Sequence, residues 1–154
     1  MHGRISSGPF PVCQSFSYPI HLFRFNIAFV KTHLKKKTIL IVDDEEQICN
    51  LIKKVLLQEG HQIFTAFNGE KALSQLKKSP VDLILVDLKM PAMNGLELLQ
   101  QARSLQKNLK SILLTAYGTA SAARSAMFLG VFDFLTKPFD IQLLKKVVKE
   151  ALDD

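Results

Sequence analysis

Acidic side chains stand where apolar runs of the sequence end, and they are the residues best suited to do chemistry. Asp43 and Asp44 follow the run Thr38–Val42, and Asp87 follows another apolar run. Clustered carboxylates repel one another, and each is costly unless a cation shares the site. Lys137, at the end of a later run, supplies one positive charge. A hard divalent cation such as Mg²⁺ would supply the rest, because it takes oxygen ligands and keeps waters that a phosphate can replace.

These residues can act together only if the chain brings the ends of the runs to one place. From Thr38 onwards, five apolar runs alternate with five amphipathic segments, which predicts a parallel sheet with helices on both faces. Ligands of such sheets bind beyond the carboxyl ends of the strands. The predicted strands are Thr38–Val42, His61–Phe67, Val81–Val86, Ser111–Thr115 and Val131–Thr136.

Capping residues predict where several helices begin and end. Asp43 or Asp44 can cap the first helix, and Gly60 fits the position just after its end. Asp140 is predicted to cap the last helix. The helices between them are predicted at Glu70–Lys78, Leu96–Leu105 and Gly118–Leu129.

The predicted strand ends therefore combine three carboxylates with the Thr115 hydroxyl and the Lys137 ammonium. A carboxylate next to a metal ion can act as a nucleophile on phosphorus and form an aspartyl phosphate. The pattern is compatible with phosphoryl chemistry at one edge of the sheet.

Four motifs at these strand ends resemble those of the receiver domain of two-component response regulators, and the likeness covers residues 38–154. The resemblance implies a five-stranded parallel sheet of flavodoxin-like (βα)5 type, with strand order 2-1-3-4-5 and helices on both faces. The motifs are Ile-Leu-Ile-Val-Asp43-Asp44-Glu45, Asp87-Leu-Lys-Met-Pro91 with Asn94-Gly95, Leu-Thr115-Ala116-Tyr-Gly, and Asp-Phe134-Leu-Thr-Lys137-Pro138-Phe139.

The resemblance implies a phosphoacceptor and a metal site. Asp87 would accept the phosphoryl group. Asp44, Asp87 and the backbone carbonyl of Lys89 would ligate the metal directly, and Asp43 would act through water. The implied cofactor is Mg²⁺, with Mn²⁺ as the alternative.

The resemblance also implies phosphoryl-binding and switch residues. Lys137 would pair with the phosphoryl oxygens, and Thr115 would move to donate a hydrogen bond to them. Phe134 stands at the aromatic switch position, where many relatives have tyrosine. Phenylalanine can fill the vacated pocket but cannot make the hydrogen bond of a tyrosine hydroxyl. The Lys137-Pro138 peptide bond is expected to be cis, a conformation whose free-energy cost is small only when the second residue is proline.

Two further positions border the path of the water that removes the phosphate in this family. They are Lys89, two residues after Asp87, and Tyr117, two residues after Thr115. Neither side chain offers a carboxylate or amide to orient water, and we therefore expect slow self-dephosphorylation.

The function implied is a phosphorylation-dependent signalling switch that is not an enzyme. A sensor histidine kinase or phosphotransfer protein would be the donor, and the face of the fourth helix, fifth strand and fifth helix would control an unknown protein target. A phosphorylation-dependent dimer through that face is a further expectation. We expect a cytoplasmic location, no direct DNA binding, no membrane span and no output domain.

The enzymatic alternative is a haloacid-dehalogenase-like phosphatase, but such enzymes carry a second Asp where this chain has Lys89.

The N-terminal quarter of the chain differs from the remainder. Residues 1–37 contain six of the 20 basic residues and none of the 14 acidic ones, so residues 38–154 are neutral. We interpret residues 1–37 as a basic, disordered extension, with Leu34 as a candidate alternative start. A receiver tethered to a membrane or to nucleic acid through this segment is the alternative. Two cysteines are too few for a disulfide scaffold.

Overall fold

Five strands and five helices alternate in this computed structural model, which describes residues 36–116 and 120–154. The strands are β1 (Thr38–Val42), β2 (Gln62–Ala66), β3 (Leu83–Asp87), β4 (Lys110–Thr115) and β5 (Asp133–Thr136). The helices are α1 (Glu46–Gln58), α2 (Gly69–Lys78), α3 (Gly95–Leu105), α4 (Ala120–Phe128) and α5 (Ile141–Asp153).

The strands form one parallel sheet of order β2-β1-β3-β4-β5, which confirms the predicted fold. The chain leaves β1 towards β2 at one edge and then returns to place β3 on the other side of β1. The order of strands therefore reverses between β1 and β3, where parallel sheets bind their ligands. In register, Val42 of β1 pairs with Val86 of β3, so Asp43 and Asp87 follow paired residues.

Alternate strand residues build two apolar layers, one on each face of the sheet. Ile39 and Ile41 pack with buried residues of α1 and α5. Leu40 and Val42 pack on the opposite face with buried residues of α2, α3 and α4. The central strand β3 is buried at all five positions, which is why its sequence is uniformly apolar up to Asp87.

The structure corrects the predicted cap of α1, which is neither Asp43 nor Asp44. The capping position belongs to Glu45, whose side chain makes no capping hydrogen bond. Asp43 Oδ1 instead accepts a hydrogen bond from Glu45 N at 2.9 Å, and Asp43 Oδ2 contacts Lys137. Both oxygens of Asp43 are therefore engaged before the helix begins.

Other helix ends agree with the sequence. Gly60 follows α1 with a φ of +88°, a left-handed conformation that glycine adopts at little cost. Asp140 caps α5 by accepting hydrogen bonds from Gln142 N and Leu143 N.

β3 begins at Leu83 rather than at Val81 because a distant side chain takes the Val81 amide. Gln106 Oε1 accepts a hydrogen bond from Val81 N, and Gln106 Nε2 donates to the carbonyls of Leu76 and Ser79. The chain entering β3 is thus tied to the end of α3. Within the ranges described, no helix is long and apolar enough to cross a membrane.

Candidate functional site

The carboxyl ends of β1 and β3 bring three carboxylates together. Asp43 is fully buried and Asp87 is 6% exposed, whereas Asp44 is exposed. One oxygen of each residue lies within 4.8 Å of the others. The sheet therefore unites residues that are more than forty positions apart in sequence.

Lys137 follows β5 and reaches across the end of β4 to these acids. Its Nζ lies 2.6 Å from Asp43 Oδ2 and 3.0 Å from Asp87 Oδ1. A third carboxylate oxygen, Oε1 of Glu45, lies 3.4 Å away. The Lys137 backbone amide donates to Thr115 O at 2.7 Å, which anchors the residue beside β4.

Burial and charge set the protonation states of Asp87 and Lys137. Burial raises the pKa of the Asp87 carboxyl above its usual value, and the hydrogen bond from Lys137 opposes that rise. Burial alone would lower the pKa of Lys137, but hydrogen bonds to Asp43 and Asp87 outweigh it and raise that pKa. Lys137 is therefore a permanent positive charge at neutral pH.

The donor set fits a hard divalent cation. Asp43, Asp44 and Asp87 offer three carboxylate oxygens, and oxygen ligands are what Mg²⁺ prefers. Lys137 balances one of the three negative charges, which leaves an excess that a second cation would neutralise.

Gly95 is required by the backbone of the phosphoacceptor candidate. A Cβ at Gly95 would lie 2.4 Å from the Asp87 carbonyl oxygen, so any side chain would push the β3–α3 loop away. Gly95 N donates to Leu88 O at 3.0 Å. In the sequence, Asn94-Gly95 indicated only a turn, and this close approach was missed.

Thr115 and Phe134 lie on the same face of the sheet. Leu113 pairs with Phe134 and Thr115 pairs with Thr136; side chains two residues apart on a strand share a face. Thr115 is buried, whereas Phe134 is half-buried and packs on the layer that contains Ala126 of α4. The two residues are therefore diagonal neighbours on this face.

The remaining predicted positions have the following places. Lys89 is exposed in the loop after β3, and the Lys137-Pro138 bond is cis. Tyr117 lies outside the described residues, as do residues 1–35 of the proposed extension.

Two residues at the site were not assigned to it from the sequence. Glu45 contacts Lys137, although in the sequence it had no assigned role beyond its place after Asp43 and Asp44 in the first motif. Cys49 is fully buried, and its Sγ lies 3.5 Å from the Asp43 carbonyl oxygen. Burial raises the pKa of the Cys49 thiol to about 11, so it stays protonated.

Comparison with known proteins identifies relatives of this chain. The sequence profile of the response regulator receiver domain matches residues 39–149. Sporulation initiation phosphotransferase F of Bacillus subtilis is 38% identical over 119 residues, which cover 77% of this chain and 96% of that protein. Transcriptional regulatory protein GlrR of Escherichia coli is 36% identical over 77% of this chain, but the match spans only 27% of GlrR.

Solved structures agree in both fold and sequence. A CheY-like receiver domain protein of Methanospirillum hungatei has a TM-score of 0.74 and 32% identity, covering 77% of this chain and 95% of that one. Response regulator TrrA of Thermotoga maritima, solved in complex with Mg²⁺ and beryllium fluoride, has a TM-score of 0.68 and 40% identity; the match covers 75% of this chain and 99% of TrrA. The matched sequence profile, the similar proteins and the solved structures all point to the same family as the cluster of acids around Lys137. The chain belongs to the response regulator receiver domain family.

Proposed function

We propose that this protein is a signalling switch that accepts a phosphoryl group on Asp87. The observation that carries the proposal is the burial of Asp87 at the end of the central strand, within 3.0 Å of the Lys137 ammonium and beside two other acids. Receiver domains are signalling modules that interact with histidine kinases or phosphotransfer proteins. A phosphorylated histidine of such a protein is the proposed donor.

In the proposed reaction, a carboxylate oxygen of Asp87 attacks the phosphorus of the donor. The bond between phosphorus and the donor's imidazole nitrogen breaks, and its electron pair stays with the imidazole. Lys137 is positioned to neutralise charge on the phosphoryl oxygens. Asp44, Asp87 and the Lys89 carbonyl would hold Mg²⁺ directly and Asp43 would do so through water. The ion supplies charge neutralisation when it is bound.

The proposed output is a change at the face formed by α4, β5 and α5. Thr115 would move to donate its hydrogen bond to the phosphoryl group, and Phe134 would turn into the space that it leaves. Helix α4 suits such a change, because Met127 and Phe128 are 72% and 91% exposed, and side chains that bury little surface contribute little to local stability. The altered face would bind a downstream protein or a second copy of this chain.

The proposal extends to the lifetime of the phosphoryl group, the domain organisation of the chain and its location in the cell. Lys89 and Tyr117 would keep attacking water from the phosphoryl group, so that loss of phosphate is slow. Residues 1–37 would be an extension of the receiver domain at 38–154. The proposed location is the cytoplasm.

The test is phosphorylation by acetyl phosphate with Mg²⁺, followed by intact-mass measurement. The wild type should gain one phosphoryl group that hydroxylamine removes, because hydroxylamine cleaves acyl phosphates. Asp87→Ala should gain none, whereas Asp153→Ala, an acid in the last turn of α5, should be labelled like the wild type. Stoichiometric labelling of Asp87→Ala would contradict the assignment.

A further inference from the structure

Lys137 has as many carboxylate partners as it has protons to donate. An ammonium carries three N–H donors, and Nζ of Lys137 lies 2.6 Å from Asp43, 3.0 Å from Asp87 and 3.4 Å from Glu45. A phosphoryl oxygen that arrives at Asp87 therefore finds no vacant donor on Lys137. One of the three contacts must break before Lys137 can bind it.

The three partners differ sharply in exposure. The side chain of Asp43 is 0% exposed and that of Asp87 is 8% exposed, but that of Glu45 is 65% exposed. Breaking the contact with Asp43 would leave a buried charge with neither water nor a partner. An exposed carboxylate regains water when it leaves, so its ion pair is weak. Glu45 is also the most distant of the three from Nζ.

We propose that Glu45 is a placeholder for the phosphoryl group, occupying the donor of Lys137 that a phosphoryl oxygen takes over. The inference deepens the proposed function and rests on it. Glu45 would be displaced when Asp87 is modified, and Lys137 would keep its buried contact with Asp43 throughout. Glu45 is thus a positioning residue that holds the ammonium before phosphorylation and competes with the phosphoryl group for it.

The backbone around Glu45 allows the side chain to leave without disturbing α1. Glu45 O accepts hydrogen bonds from Ile48 N and Cys49 N, and Glu45 N donates to Asp43 Oδ1. These bonds hold the main chain whether or not the side chain contacts Lys137. A carboxylate released at this point stays beside the N-terminus of α1, where negative charge is favoured.

The experiment measures binding of beryllofluoride, a mimic of the phosphoryl group, at saturating Mg²⁺. Three variants are compared with the wild type. E45Q removes the charge and leaves only a neutral amide oxygen to accept from Nζ, whereas E45D keeps the charge but shortens the side chain. E46Q removes one charge from the neighbouring position, an exposed acid at the start of α1.

E45Q should bind beryllofluoride about two- to five-fold more tightly than the wild type, the range of an exposed ion pair. E45D should show most of that gain, because its shorter side chain reaches Nζ less well. E46Q should change the affinity by less than about two-fold, since an exposed charge is screened by salt. Mg²⁺ affinity, measured separately, should fall equally in E45Q and E46Q.

Three results would overturn the inference. Equal beryllofluoride affinities of E45Q and E46Q would show that only the net charge of the protein affects binding. An E45D variant that binds beryllofluoride like the wild type would show the same. A much larger loss of Mg²⁺ affinity in E45Q than in E46Q would place Glu45 on the cation instead. If the wild type neither binds beryllofluoride nor reacts with acetyl phosphate, the proposed function itself fails, and that outcome is distinct from the other three.

Discussion

Replacing Lys137 with methionine should lower the free energy of unfolding by about 3–5 kcal/mol when no divalent cation is present. The substitution removes the ammonium that lies 2.6 Å from Asp43 and 3.0 Å from Asp87. Asp43 is fully buried, so water cannot replace the lost partner. Methionine keeps an unbranched, flexible stem, and the loss is therefore mainly electrostatic.

The upper end of that range is limited by protonation of Asp87. Burial already raises the pKa of this carboxyl, and Lys137 is what opposes the rise. Without the lysine, Asp87 takes up a proton more readily, which relieves part of the repulsion among the acids. The variant should therefore lose less stability at acidic pH than at neutral pH.

The assay is urea unfolding at neutral pH with a chelator, and Lys145→Met is the matched control. Lys145 also forms an ion pair, at 2.7 Å from Glu59, but the two side chains are 29% and 43% exposed. That pair should contribute no more than about 1 kcal/mol. Equal losses in the two lysine variants would refute the reasoning from burial.

Mg²⁺ supplies a second test of the same reasoning. The ammonium and the cation neutralise the same carboxylates, so Lys137→Met should bind Mg²⁺ more tightly than the wild type. A ligand that binds only the folded state stabilises it by about 2.7 kcal/mol when the free ligand concentration is one hundred times the dissociation constant. At a fixed Mg²⁺ concentration the variant should therefore gain more stability than the wild type. Equal gains would show that the two cations do not share the acids.

Two further predictions concern stability away from the site. Asn94→Ala should cost about 1 kcal/mol, measured by urea unfolding, because the Asn94 side chain accepts hydrogen bonds from Leu96 N and Glu97 N at the start of α3; an unchanged midpoint would contradict this. Burial lowers the pKa of His61, so below about pH 6.5 the unfolded chain binds a proton that the folded one resists. Stability should fall as pH decreases through that value, and His61→Gln should show a shallower fall between about pH 7.5 and pH 5.5; parallel curves would contradict this.

Much of the fold could be predicted because its signals are local. The alternation of apolar runs with amphipathic segments shows in short windows of sequence, and β1 was predicted with the bounds that the structure has. The caps at Asp140 and the glycine after α1 depend on a few neighbouring residues. The order of the strands came from the resemblance, since the residues alone predicted a parallel sheet without a unique order.

Strand ends that depend on distant groups could not be predicted. Val81 is apolar and β-branched like a strand residue, but its amide is bonded by Gln106, a residue 25 positions away. The competition between a side-chain acceptor and the neighbouring strand is decided by tertiary packing. No window of sequence around Val81 contains that information.

The sequence by itself determined which residue types stand at the ends of the strands, and hence that acids and a lysine meet at one edge of a parallel sheet. Only the tertiary structure decided how they share charge. Glu45 and Lys137 are 92 residues apart, and their 3.4 Å contact depends on the order of the strands and on how far the lysine side chain extends. Burial separates the acids further: Asp43 and Asp44 are adjacent and chemically identical, yet one is fully buried and the other is exposed. Electrostatic energy depends on distance and on access of water, and both quantities exist only once the chain has folded.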